Sequence, residues 1–100
     1  MQHVFTINSG DLAMRRAASR LFGELQQRFG AIESCHVDIT NQTDDEAWMA
    51  TLYLATPSGV HRIERSSTSQ DVALRAAFVA ARGCLEHERH RCTRITIRSA

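Results

Sequence analysis

Hydrophobic and polar positions divide the first half of the chain into four segments, three of which are periodic. Apolar residues recur every three to four positions over residues 12–29, which predicts an amphipathic helix. Apolar and polar residues alternate over residues 3–8 and 32–40, and this two-residue period predicts two strands. Residues 47–56 are apolar at both odd and even positions, so they predict a central strand.

The second half begins with a less regular strand and continues with a second helix. Residues 60–66 predict a fourth strand in which either Val60 or Ile63 faces the core, with a bulge as one way to change the phase between them. Thr68 and Asp71 have the spacing of a capping box, which opens the last helix. The apolar stripe expected to pack on the core is Leu74, Phe78, Ala81 and Leu85.

Single residues mark the ends of the first helix. Asp11 or Ser9 is placed to accept free backbone N–H groups as the N-cap. Gly30 stands at the usual position of a C-terminal cap. Gly23 lies inside the helix, where glycine costs roughly 1 kcal/mol relative to alanine, so the sequence predicts close packing at that position.

The order strand, helix, three strands and helix predicts an α+β fold. Two helices would pack on one face of a four-stranded, mostly antiparallel sheet. One hundred residues suit a single domain, which we predict over residues 1–91. Thr93, Ile95 and Ile97 alternate with more polar residues, so residues 92–100 are expected to form either an extra C-terminal edge strand or a tail.

Composition and cysteine content are typical of a cytosolic globular protein. The hydrophobic content of 43% fits a soluble domain. No apolar run approaches the ~20 residues of a membrane-spanning helix, and the first residues lack the pattern of a signal peptide. Three cysteines without CxxC spacing favour reduced thiols over a disulfide framework. We therefore expect a cytoplasmic protein that does not bind a membrane.

The basic residues are all arginines, and their distribution is uneven. Residues 1–59 contain four arginines and seven acidic residues, whereas residues 60–100 contain eight arginines and four acidic residues. The planar guanidinium group suits phosphate and stacks on bases. A GC-rich genome would also favour arginine codons, so the asymmetry is a modest indication of a polyanionic partner.

An arginine ridge follows the last helix. Arg75, Arg82 and Arg89 recur every seven residues, with about 20° of drift per step, and the helical rise makes the ridge about 20 Å long. Arg91 extends it. Such a ridge can follow a phosphate backbone, and the alternative interpretation is an ordinary solvated helix face.

Motifs for metal binding and catalysis are weak. Cys84, Glu88 and Cys92 share a helix face, and His87 lies next to Cys84, which leaves a metal-binding protein as one alternative. Zinc requires three or four convergent ligands, and no HExxH or paired CxxC supports this set. The sequence also lacks GxSxG and a glycine-rich phosphate loop. We therefore expect a non-enzymatic protein without a cofactor.

Several segments carry a family resemblance in the same order along residues 3–91. "DVALRAAFVAARGCLEHERHR" resembles the second helix of the ribosome hibernation promoting factor and ribosome-associated translation inhibitor family, also called sigma-54 modulation proteins. "IESCHVDI" is similar to the second strand of that family, and "LYLATPSGV" is similar to the third strand and its turn. "RFGAI" fits the junction after the first helix. The chain looks like a short, divergent member.

The resemblance implies a β-α-β-β-β-α domain that binds ribosomal RNA of the small ribosomal subunit in the channel used by mRNA and tRNA. It implies a translation regulator of the stress response, which silences ribosomes and performs no chemistry. Basic residues of both helices would meet the RNA. Together with the end of the ridge, the predicted RNA-binding residues are Arg16, Arg20, Arg75, Arg82, Arg89 and Arg91.

The chain departs from the family in its charge. Family members use lysine freely, whereas this chain contains none and has a net charge of +1. Gly83 stands where relatives often have a second arginine. A second hypothesis is therefore a protein-interaction module that kept the fold and lost the ribosome, with a homodimer formed through the C-terminal strand.

Overall fold

The computed structural model describes the backbone over residues 4–9, 11–30, 32–42 and 47–99, and the side chains over 5–9, 11–30, 32–41 and 47–87. The predicted β-α-β-β-β-α order is confirmed. The elements are β1 (Val4–Asn8), α1 (Leu12–Phe29), β2 (Ser34–Gln42), β3 (Ala47–Thr56), β4 (Gly59–Ser67) and α2 (Gln70–Ser99).

The four strands form one mixed sheet in the order β1-β2-β3-β4. β1 runs parallel to β2, and α1 makes the crossover that a parallel pair requires. β2 with β3 and β3 with β4 are antiparallel pairs. The sheet is therefore mostly antiparallel, as predicted, with β1 and β4 as its two edges.

The hydrophobic core lies between the two helices and one face of the sheet. Alternate residues of β2 point to this face, because side chains of a strand alternate between its two sides. Cys35 is paired with Leu54, and Val37 with Leu52, so the same face continues onto β3. The largest fully buried side chains are Ile32, Leu52, Leu54, Leu74, Val37 and Cys35.

Local capping explains where the helices begin and end. The Asp11 carboxylate accepts from the Ala13 amide at 2.9 Å, and Gly30 ends α1 in the left-handed conformation at φ 67°. The predicted capping box of Thr68 and Asp71 is wrong by one residue. Ser69 is the N-cap of α2 instead, because its backbone carbonyl accepts the first helical bond, from Ala73, and its hydroxyl accepts from the Val72 amide at 3.4 Å.

The structure shows which residues of β4 face the core. Ile63 faces the core, whereas Val60 is exposed on the opposite side of the strand. Pairing with β3 runs without interruption from Gly59 to Ser67, so the ladder contains no bulge over these residues.

The predicted extra C-terminal strand is wrong. α2 continues to Ser99, so residues 92–98 are helical rather than extended. No proline or glycine follows Gly83 to end the helix, and β-branched residues lower helix propensity without breaking a helix. The homodimer predicted through this strand loses its basis. The domain boundary predicted after residue 91 falls where side chains lie outside the described part of the chain, and it stays a prediction.

Gly23 does not mark close packing, contrary to the prediction. A Cβ atom built at this position would meet nothing within 4 Å.

We expect Gly23→Ala to raise the free energy of unfolding by about 0.5–1 kcal/mol, because alanine restricts the unfolded chain and favours the helix. Urea unfolding measures this gain. Gly30→Ala is the control of opposite sign, because the left-handed backbone there disfavours a side chain. An unchanged midpoint for Gly23→Ala would contradict the open environment.

Candidate nucleic-acid interface

A groove separates α1 from α2 on the side of the molecule away from the sheet. Its volume is about 550 Å³. Helical periodicity places its residues on facing sides of the two helices, one or two turns apart. The groove is lined by Leu21, Glu24, Leu25, Gln27, Arg28, Arg75, Phe78, Val79 and Arg82.

The groove has an apolar floor and a charged rim. Leu25 and Phe78 close the floor, since both are buried in the core below it. Val79 also lines the groove but stays 59% exposed to solvent. Arginines from both helices surround this apolar surface. The rim arginines are Arg28, Arg75 and Arg82.

Two of the rim arginines are held by carboxylates. Arg28 of α1 contacts Glu86 of α2 at 2.7 Å and thereby links the two helices. Arg75 contacts Asp71 one turn earlier at 3.1 Å. All four side chains are between 41% and 63% exposed, so these pairs orient the guanidinium groups and add little stability.

Arg82 differs from the other two rim arginines. Among the residues whose side chains the structure describes, Arg82 makes no ion pair. Its side chain is exposed at the edge of the apolar floor. An anion that reaches the groove would therefore meet, at Arg82, a guanidinium group that none of the described carboxylates holds in an ion pair.

The structure brings together part of the predicted arginine set. Arg75 and Arg82 lie at the groove, as their seven-residue spacing predicts. Arg16 and Arg20 are exposed on successive turns of α1. The side chains of Arg89 and Arg91 lie outside the described residues, so their place in the ridge stays a prediction.

Sequence reasoning missed Arg28 as a groove residue. The local sequence suggests a pair with Glu24 one turn earlier, which is a common helical arrangement. The observed partner Glu86 is 58 residues away in the chain. Only the packing of the two helices creates this contact, so no local pattern could have predicted it.

The helix side of the molecule is basic, whereas the opposite face of the sheet is slightly acidic. α1 contains four arginines and one glutamate. On the sheet face opposite the helices, the alternation of the strands places Asp38, Arg62 and Glu64. That face therefore has more acidic than basic side chains among the described residues. A polyanion would be attracted to the helices rather than to the sheet.

The open sheet face is organised by a hydrogen-bonded chain across β1 and β2. The Thr6 hydroxyl contacts Nδ1 of His36, and Nε2 of His36 contacts the Asp38 carboxylate at 3.0 Å. With Thr6 donating to Nδ1, the Nε2–H donates to Asp38, so a neutral imidazole satisfies both contacts. These contacts fasten the edge strand β1 to its neighbour.

The cysteines do not form a reactive or metal-binding centre in the described part of the chain. Burial raises the pKa of the Cys35 thiol to about 12, so a thiolate nucleophile is not available there. Cys84 is exposed. Over the described residues, no three histidine, cysteine or acidic side chains converge. Of the predicted metal set, Glu88 and Cys92 have side chains outside those residues.

Within the residues that the structure describes, neither helix is long and apolar enough to cross a lipid bilayer.

Comparison with known proteins identifies the fold through structure alone. No protein-family model and no curated protein sequence matches the chain. A ribosomal subunit interface protein from Coxiella burnetii has a TM-score of 0.77 at 11% identity, over 89% of this chain and 99% of that chain. This chain has the same fold. The N-terminal domain of Protein Y from Thermus thermophilus has a TM-score of 0.71 at 15% identity, over 87% and 98% of the two chains.

These neighbours confirm, at the level of the fold, the resemblance seen in the sequence. Both match this chain over almost their entire length. Sequence identities of 11% and 15% do not transfer the role of any single residue. The part of each arginine in binding therefore has to be argued from the geometry of this chain.

Proposed function

We propose that this chain is a cytosolic, ribosome-associated RNA-binding protein that occupies the small ribosomal subunit and inhibits or protects idle ribosomes. It has the fold of a protein described as a ribosomal subunit interface protein. Its helix layer presents arginines on one side of the molecule. It acts as a translation regulator in stressed cells, by hibernation rather than by catalysis, and it needs no cofactor.

The convergence of arginines from both helices is the observation that carries this proposal. Arg75 and Arg82 of α2 face Arg28 of α1 across the groove, and Arg16 and Arg20 extend the basic surface along α1. These side chains stand on packed helices, so the surface exists before any partner binds. Preformed cationic positions favour the phosphates of ribosomal RNA, because little ordering is needed on binding.

Inhibition would follow from occupancy. A domain that sits on ribosomal RNA in the mRNA and tRNA channel excludes those ligands sterically, without chemical change. The protein then needs only affinity and shape, which agrees with a buried Cys35 whose thiol is not nucleophilic. Release would require only dissociation, so the idle ribosome would remain intact.

Co-sedimentation with purified small subunits tests the proposal. We expect the protein to pellet with subunits at about 50 mM salt and to lose about 100-fold in affinity by about 200 mM, if about four phosphates are neutralised. Centrifugation of the protein alone controls for aggregation. Protein that stays in the supernatant with subunits at low salt would exclude a ribosomal role for this chain.

A further inference from the structure

We propose that the groove between α1 and α2 receives one unpaired RNA nucleotide, with its base against the apolar floor and its phosphate at Arg82. This inference rests on the proposed function and deepens it, because it states what part of the RNA the groove recognises. A ridge of arginines that follows phosphates needs no cavity, whereas this chain has one at the centre of its basic surface.

The size of the groove fits a nucleotide. Small-molecule sites in proteins are typically about 300–1,000 Å³, and the groove at about 550 Å³ lies within that range. It is open on the side opposite the sheet, so a base could enter it while the ribose and phosphate remain at the surface. A duplex could not use it in this way, because paired bases are not accessible to a side-chain pocket.

The apolar floor explains why a base rather than a phosphate alone would enter. Leu21 and Val79 come from facing helices, and Phe78 lies beneath them. Val79 is 59% exposed, so its side chain has apolar area left to cover. The faces of a nucleobase are apolar, and their burial on such a surface is favourable regardless of base identity.

The rim supplies groups for the polar parts of the nucleotide. Arg82 has no ion pair among the described side chains, which leaves its guanidinium available to a phosphate. Asp71 and Glu86 hold Arg75 and Arg28 beside the groove. The Glu24 and Gln27 side chains also line it, where they can accept from or donate to the base edge.

The surrounding charge favours RNA over an acidic peptide. Arg16 and Arg20 are exposed on α1 beyond the groove. A phosphodiester chain that leaves the groove in their direction would continue to meet cations, spaced by one helical turn. A peptide would use the apolar floor equally well, but it would not need this continuing row of arginines.

A pair of matched valine variants tests the inference. Val79 and Val72 stand seven residues apart on α2, with 59% and 53% exposure, and only Val79 lines the groove. We expect Val79→Ser to weaken binding to small subunits about fivefold. The slope of log affinity against log salt should stay unchanged, because no phosphate contact is lost. Val72→Ser should bind like the unaltered protein.

An RNA hairpin with one bulged nucleotide, compared with the fully paired hairpin, is the second probe. We expect the unaltered protein to bind the bulged hairpin about tenfold tighter, and Val79→Ser to lose this preference. Thermal unfolding confirms that both exposed valine variants fold.

The possible results separate this inference from the proposed function. If Val79→Ser binds subunits as tightly as Val72→Ser while Arg82→Gln reduces the salt slope by about one, the nucleotide pocket is overturned and the ribosomal role stands. Equal affinity for both hairpins, or displacement of the bulged hairpin by an acidic peptide, would also overturn it. If the unaltered protein fails to bind subunits at low salt, the proposed function itself is wrong.

Discussion

The double change Arg75→Gln with Arg82→Gln should raise the dissociation constant for the small subunit about 50-fold at 0.1 M salt. Both guanidinium groups lie at the groove and are exposed. Each phosphate contact that is lost removes the release of about one counterion, which is worth roughly sevenfold in affinity at that salt. The slope of log affinity against log salt should fall by about two. Co-sedimentation over a series of salt concentrations measures both quantities.

The control removes the same charge from another part of the molecule. Arg62 and Arg65 belong to the edge strand β4 and do not line the groove. Arg62→Gln with Arg65→Gln should leave affinity within about twofold, an effect of net charge alone. Equal losses for the two double variants would mean that binding depends on total charge. In that case the arginine surface of the helices would not be the interface.

Leu52→Ala should lower the free energy of unfolding by about 3 kcal/mol, which is a large share of the 5–15 kcal/mol typical of a domain. Leu52 is fully buried in β3. It is paired with Val37 on one side and with Ile63 on the other. Truncation leaves a cavity in the core over the centre of the sheet, where rigid neighbours on both sides limit relaxation. Urea unfolding followed by Trp48 fluorescence measures the change.

Leu12→Ala makes the same chemical change at the exposed start of α1, where the side chain is 60% exposed. We expect a change within about 0.5 kcal/mol, because little apolar area is returned to water. A loss at Leu52 as small as that at Leu12 would show that β3 is not the centre of the core. The slope of the unfolding free energy against urea concentration should be the same for both variants and the unaltered protein, which confirms that the comparison concerns stability alone.

Elements with strong local signals were predictable to the residue. The bounds of α1 and β3 match the predicted ranges 12–29 and 47–56. Asp11 and Gly30 account for α1, because a carboxylate at the N-cap and a left-handed glycine at the end fix both termini without help from the rest of the chain. Apolar residues at both odd and even positions likewise identified β3 as an interior strand.

Features that depend on packing could not be predicted. The choice between Val60 and Ile63 depends on which side of β4 meets α2, and the strand itself is mixed in polarity. The open surroundings of Gly23 depend on where the neighbouring elements pass. The alternation after Cys92 suggested a strand, although nothing in the sequence ended the preceding helix.

In the candidate site, too, some features follow from local sequence and others follow only from packing. Periodicity brought Arg75 and Arg82 to one side of a helix, and that placement is observed. The groove arises from the distance and angle between two helices, which are set by side chains in the core. Leu25 and Phe78 therefore shape the site, although their positions in the sequence indicate only burial.

The position of β1 at the parallel edge of the sheet has a consequence for how the chain folds as it is made. β2, β3 and β4 follow one another with short connections and pair antiparallel, so their contacts form between neighbours in the chain. β1 pairs only with β2, across the whole length of α1, and closing such a loop costs entropy before any contact forms. The segment Val4–Asn8 is synthesised before the other three strands and is thus expected to pair late.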